Sequence, residues 1–116
     1  MTQIKIPHLS PVKFAQDILQ KEDSFADVLI QFGQIPTLAM LVEAAAQSTA
    51  AFKVDEREHA FLVSLKDIKL IQEPTKTELL AHVIDEHRLD KMRYVRFEIR
   101  EDKVLIADGT LVIAVQ

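Results

Sequence analysis

One carboxylate stands alone in an otherwise uncharged stretch of this chain. Between Asp27 and Lys53, Glu43 is the only charged residue, although 28% of all residues are charged. Gln47 follows four positions later, the spacing that brings two side chains together on a helix. A carboxylate enclosed by apolar residues is costly unless it is paired or protonated, and such groups are over-represented at functional sites. The chemistry within its reach is proton transfer: taking a proton from carbon or water, or returning one to a leaving group. The competing reading is a hydrogen bond to the backbone or to Gln47 with no chemistry attached, and the residue types leave both open. Other chemistries are less well served. Without cysteine there are no disulfides, thiolate metal sites or cysteine nucleophiles. His8, His59, His82 and His87 show no ligand spacing such as His-x-x-x-His, so neither a metal nor a cofactor is expected.

The elements that would carry these residues are visible in the apolar periodicity. Thr37 is a suitable N-cap for a helix running to about Phe52. Leu38, Leu41, Val42, Ala45, Thr49 and Phe52 fall on one side of it, and Glu43 and Gln47 lie opposite, flanked by Ala39, Ala46 and Ala50. A surface helix would place lysines and glutamates there, so alanines predict a helix enclosed on most sides. Before it, Val12, Phe14 and Ile18 suggest a first strand. A turn at Lys21–Ser24 leads to a second in FADVLIQF, with Ala26, Val28, Ile30 and Phe32 in one phase. Residues 4–11, with two prolines, are expected to be extended or irregular.

After a charged connection at 53–59, β-structure is expected to the end. Phe61, Val63 and Leu65 alternate, then Ile68 and Leu70 take the other phase, which predicts a bulge near Lys66–Asp67. Residues 78–87 read as a strand, 88–91 as a turn, and Val95, Phe97 and Ile99 as the apolar face of an amphipathic strand. Val104–Val115 is apolar on both faces and should lie centrally. The order predicts an α+β domain: two strands, one long central helix, then a four-strand antiparallel meander. One helix covers only one face of such a sheet, so a homodimer is expected.

A chain of 116 residues fits one domain, 1–116. The net charge of −4 gives no electrostatic reason to expect nucleic acid or an anionic membrane as a partner. The opening MTQIKIPHLS lacks the apolar run of a signal peptide, and the stretch around Glu43 is too interrupted by polar residues to span a bilayer. A cytoplasmic location is expected.

Four motifs carry a resemblance. IPHLSPVKFAQDIL, with Ile6, Pro7, His8 and Pro11, is similar to the opening of the β-hydroxyacyl-(acyl-carrier-protein) dehydratases. LVEAAAQSTAAF resembles that family's central-helix signature through Glu43, Ala44, Ala45, Ala46 and Gln47. FLVSLKDIKLI is similar to the strand that follows, and ADGTLVIAV, with Ala107 and Gly109, to the last strand. The resemblance implies a hotdog fold, an antiparallel sheet wrapped around one long central helix. It also implies a homodimer acting on acyl thioesters carried by acyl carrier protein or coenzyme A. It makes Glu43 the catalytic residue and Gln47, Thr37, Leu38 and His8 substrate-binding residues, the helix N-terminus facing the thioester carbonyl. The chain departs from the family where a His-Phe-Pro-Gly segment would supply a second catalytic group: VLIQFGQIPTL contains no histidine and no Pro-Gly. Three functions follow: a dehydratase-like enzyme for 3-hydroxyacyl thioesters, an acyl thioesterase with Glu43 as base, or a non-catalytic subunit binding an acyl chain or its carrier.

Overall fold

The computed structural model describes residues 2–4, 13–53 and 60–115. His8 and His59 lie outside the described residues, as do Ile6, Pro7, Pro11 and Val12. Among the described residues the chain forms seven strands and one α-helix: β1 (Thr2–Gln3), β2 (Ala15–Lys21), β3 (Phe25–Gln31), α1 (Leu38–Ser48), β4 (Ala60–Leu70), β5 (Glu78–Leu89), β6 (Met92–Glu101) and β7 (Val104–Val115). No helix among them is long and apolar enough to cross a membrane.

The strands form one antiparallel sheet in the order β1-β2-β3-β5-β6-β7-β4. This corrects the expected four-strand meander. Only β5, β6 and β7 are joined as neighbours; β5 pairs with β3, and β4 crosses to the far edge beside β7. Period-2 patterning fixes which face a strand buries but not which strand lies next to it. As expected, β7 lies inside the sheet, between β6 and β4. The turn expected at 88–91 is tighter than its composition suggested, because β5 continues to Leu89 and pairs with Met92.

The core face is built by alternation. Ala26, Val28 and Ile30 on β3 are buried, as are Leu79, Ala81 and Val83 on β5 and Val95, Phe97 and Ile99 on β6. Ala26, Val83, Phe97 and Gly109 stand opposite one another in successive strands. The bulge expected near Lys66–Asp67 is present as a register shift between Lys66 and Lys69. It turns Ile68 onto Gly109. Asp67 takes φ 53° there, and Asp90 and Asp102 take similar values in the two tight turns. In a chain with two glycines, aspartate supplies the left-handed positions, which it tolerates better than most side chains.

Gly109 has a steric reason to lack a side chain. A Cβ there would run into Ile68 Cδ1, 3.1 Å from Phe97 Cε1 and 3.2 Å from the Ile68 backbone. Overpacking of this kind costs roughly 1–3 kcal/mol. Gly109→Ala is therefore expected to lower the urea midpoint with an unchanged slope, and an unchanged midpoint would contradict this packing.

Helix α1 begins where expected. The Thr37 hydroxyl accepts from the Met40 amide at 3.3 Å, and the Leu41 amide donates to the Thr37 carbonyl at 3.0 Å. The α-helix stops at Ser48 and tightens into a 3-10 turn, Thr49–Phe52, matching the expected end. The hydroxyls at its end are satisfied locally: buried Ser48 donates to the Ala44 carbonyl and half-buried Thr49 to that of Ala46. The helix lies against β2, β5, β6 and β7.

The loop leaving β4 is clasped to the β6–β7 turn. The Glu101 carboxylate accepts from the Thr75 amide and hydroxyl and from the Lys76 amide, and Lys76 reaches Asp102 at 2.8 Å. These bonds, led by the Thr75 amide, hold the Glu101 carboxyl below its ordinary value, while Asp102 raises Lys76. A lowered carboxyl contributes stability above its unfolded value and loses it as pH falls through the folded one. A raised lysine contributes below its unfolded value and loses it as pH rises through the folded one. Amide exchange at Thr75 and Lys76 should therefore be slow across the neutral range and accelerate towards both acid and alkali. Glu101→Gln should remove the acid limb and leave most of the alkaline one, which Asp102 chiefly sets.

Candidate functional site

Glu43 sits one turn inside α1, half-buried. Its Oε1 accepts a hydrogen bond from Gln47 Nε2 at 3.2 Å. The other end of Gln47 is fixed too: its Oε1 accepts from the Phe14 amide at 2.7 Å and the Ala15 amide at 3.1 Å. Two backbone donors on one oxygen settle which end of the amide is oxygen. The nitrogen must then face Glu43. Strand β2, Gln47 and Glu43 thus form one chain of hydrogen bonds, and the Phe14 ring rests against Phe32, with centroids 4.9 Å apart, at the junction.

Gln47, opposite the large apolar residues, is 4% exposed, in keeping with a helix enclosed on most sides. The buried arc also takes in Ala44, Ser48 and Ala51, because β2 closes over that flank. Periodicity centred on the large residues missed it, since alanine and serine bury as readily as leucine where backbones approach. The open stripe is narrower: Ala39, Glu43, Ala46 and Ala50, at spacings that line up on one side of a helix. Ala39 is exposed and the other three are half-buried. Glu43 is the only side chain on that stripe able to exchange a proton.

The remaining candidates separate. Thr37 is exposed and its hydroxyl caps the helix, whereas Leu38 packs against the core. Glu43 lies five residues beyond Leu38, so about 8 Å of helix separates it from the N-terminal turn. His82 and His87 lie in β5 on the face away from α1. Ala81 and Val83, either side of His82, point into the core, and His87 stands opposite Tyr94, in phase with Arg96 and Glu98.

Position alone in the sequence did not expose one pair. His82 Nδ1 lies 2.6 Å from Asp27 Oδ1, the two being direct cross-strand partners on β5 and β3. Phe25 packs beside the imidazole at 5.3 Å. Glu98 stands opposite His82 on the other side and accepts from Arg100 at 3.2 Å. His87 in turn packs on Tyr94, over which Lys66 sits at 5.3 Å. Their signal was the polar phase of two strands, but pairing them required the register. Among the described residues no three His, Asp or Glu side chains gather as a metal site would require.

Strand order and single helix together define a hotdog fold, and comparison with known proteins agrees. No family model matches the chain, and no curated protein matches it in sequence. Solved structures do. The HP0420 homologue of Helicobacter felis is 16% identical with a TM-score of 0.75, over 98% of this chain and 86% of that one. The dehydratase heterocomplex ApeI:P of Xenorhabdus doucetiae is 11% identical with a TM-score of 0.77, over 94% of this chain and 86% of that one. A mutant of the thioesterase SAV0944 of Staphylococcus aureus is 12% identical with a TM-score of 0.66, over 86% of this chain and 92% of that one. At such identities the likeness establishes the fold. Hotdog-fold neighbours thus include both a dehydratase and a thioesterase.

Proposed function

We propose that this chain is a single hotdog domain that hydrolyses acyl thioesters, with Glu43 as general base on the open stripe of α1 and the sheet wrapped around the helix behind it. The observation that supports hydrolysis is the placing of the titratable groups among the described residues: Glu43 faces the open stripe, while His82 and His87 stand on the opposite face of the sheet. A single carboxylate is enough to act as the base in hydrolysis. Glu43 takes a proton from water as its oxygen bonds to the thioester carbonyl carbon. The carbon–sulfur bond then breaks, and the proton passes to the departing thiolate, leaving a carboxylic acid and a thiol. The N-terminal turn of α1, headed by Thr37 and Leu38, offers a partial positive charge to the carbonyl oxygen. Gln47 holds the base in place. The acyl group arrives on acyl carrier protein or coenzyme A, and a second copy of the chain closes the pocket.

The order of the four motifs favours a second reading, dehydration of a 3-hydroxyacyl thioester. That reaction needs a group for the α-proton and another for the departing hydroxyl. Glu43 is one, and the sequence does not identify the other.

A panel of acyl and 3-hydroxyacyl thioesters, on coenzyme A and on carrier protein, separates the readings. Free thiol released by the wild type and not by Glu43→Gln is the result expected for hydrolysis. A change in enoyl absorbance without thiol would move the assignment to dehydration. If neither signal exceeds background while carrier protein still binds, the chain is a non-catalytic acyl-binding subunit.

A further inference from the structure

Asp85, Arg88 and Arg93 gather at one end of the sheet, on the face that packs against α1. Asp85 stands opposite buried Val95, in phase with Ala81 and Val83, and Arg93 stands opposite buried Ile113. Arg88 is the direct cross-strand partner of Arg93. Residues three apart on a regular strand point to opposite faces, so the sheet should separate Asp85 from Arg88. The register shift between Asp85 and His87 inserts Glu86 as an extra residue and brings the two to the same face. Bulges that re-aim side chains in this way are over-represented next to active sites.

The cluster is incompletely satisfied. Asp85 has a side chain 5% exposed, and its Oδ2 accepts from Arg88 Nε at 3.0 Å and Nη2 at 2.7 Å. Its Oδ1 is buried with no hydrogen-bond partner, a costly state for a carboxylate oxygen. Arg88 directs two of its five N–H donors at Asp85 and is 54% exposed, which leaves the rest for a ligand. Two cations set directly opposite each other are destabilising, and an anion between them removes that penalty. The arrangement suits an anion that carries a hydrogen-bond donor at its side.

We infer that Asp85, Arg88 and Arg93 hold a phosphate monoester and the hydroxyl beside it, the grouping at the ribose end of coenzyme A. A guanidinium fork matches two phosphate oxygens at once, and a carboxylate is an established acceptor for a ribose hydroxyl. Arg88 turns its fork to the phosphate, and the hydroxyl donates to Asp85 Oδ1. The inference rests on the thioester reading for the identity of the ligand, and it selects coenzyme A over carrier protein. The arm on a carrier protein joins it through a phosphodiester and carries no ribose.

Calorimetry with coenzyme A and with 3′-dephospho-coenzyme A, which lacks only that phosphate, tests the subsite on native protein. Coenzyme A is expected to bind about tenfold to a hundredfold tighter, the usual effect of a hydrogen bond to a charged group. Arg88→Gln should erase the difference while keeping its far-ultraviolet circular dichroism. Arg96→Gln, on the face away from α1 in the phase opposite to Val95 and Phe97, should preserve it. Equal affinity of native protein for the two ligands, or a preserved difference in folded Arg88→Gln, would overturn the subsite. The comparison on native protein decides the matter even if Arg88→Gln does not fold. Thiol release by a protein indifferent to the phosphate would reject the subsite while leaving the hydrolase reading in place. A clear preference for coenzyme A in a protein inert on every thioester would do the reverse.

Discussion

Replacing Glu43 by glutamine is expected to lower thioester turnover by about a hundredfold to ten-thousandfold, the usual contribution of a positioned acid or base. The loss should fall on kcat, with KM little changed, because the proton is transferred in the transition state and the carboxylate is not needed to hold the acyl chain. Stability should barely move. Glu43 is half-buried, and a glutamine oxygen can still accept from Gln47. The change in unfolding free energy is expected within about 0.5 kcal/mol, as for substitutions that break no buried network. Steady-state kinetics with thiol detection, set beside a melting curve, checks both halves. A variant that melts like the wild type and turns over like it would remove Glu43 from the chemistry.

Gln47→Met should act the other way round, on the fold first. Methionine fills nearly the same volume but accepts hydrogen bonds only weakly. The Phe14 and Ala15 amides, now bonded to Gln47 Oε1, would lose their acceptor where Ala15 is fully buried. An unsatisfied buried donor costs about 1–3 kcal/mol, so an overall loss of about 3 kcal/mol is expected. That corresponds to roughly 10 °C in melting temperature for a domain of this size. Turnover should fall as well, because the amide that steadies Glu43 is gone. Gln47→Glu tells the two effects apart: it keeps an acceptor for the strand amides but sets a second carboxylate beside Glu43. It should melt closer to the wild type than Gln47→Met while remaining impaired in kcat.

The two variants also mark what the sequence could disclose about the site. Glu43 was legible because its neighbours are uncharged, a property of adjacent residues. Gln47's structural task was not, because its partners lie 33 and 32 residues away on β2 and nothing local distinguishes a buried glutamine from an exposed one. Asp27 and His82, 55 residues apart, were invisible as a pair for the same reason. The alternation in FADVLIQF and in Val95–Ile99 named the core faces of β3 and β6, and the doubly apolar β7 was placed inside the sheet. The position of β4 escaped, since its neighbour is chosen by the crossover that carries the chain past α1. Its alternation marked a strand, but Phe61, Val63 and Leu65 are exposed.

Hydrolysis by Glu43 requires the acyl thioester to lie along α1 beside it. Amide chemical-shift mapping with a thioether analogue of an acylated pantetheine arm, which cannot be hydrolysed, addresses it without relying on turnover. The expected result is a saturable set of shifts along Ala39, Glu43, Ala46 and Ala50, retained in Glu43→Gln. Shifts confined to the opposite face around His82 and Tyr94, or none along the helix at any concentration of the analogue, would mean that the thioester does not bind beside Glu43.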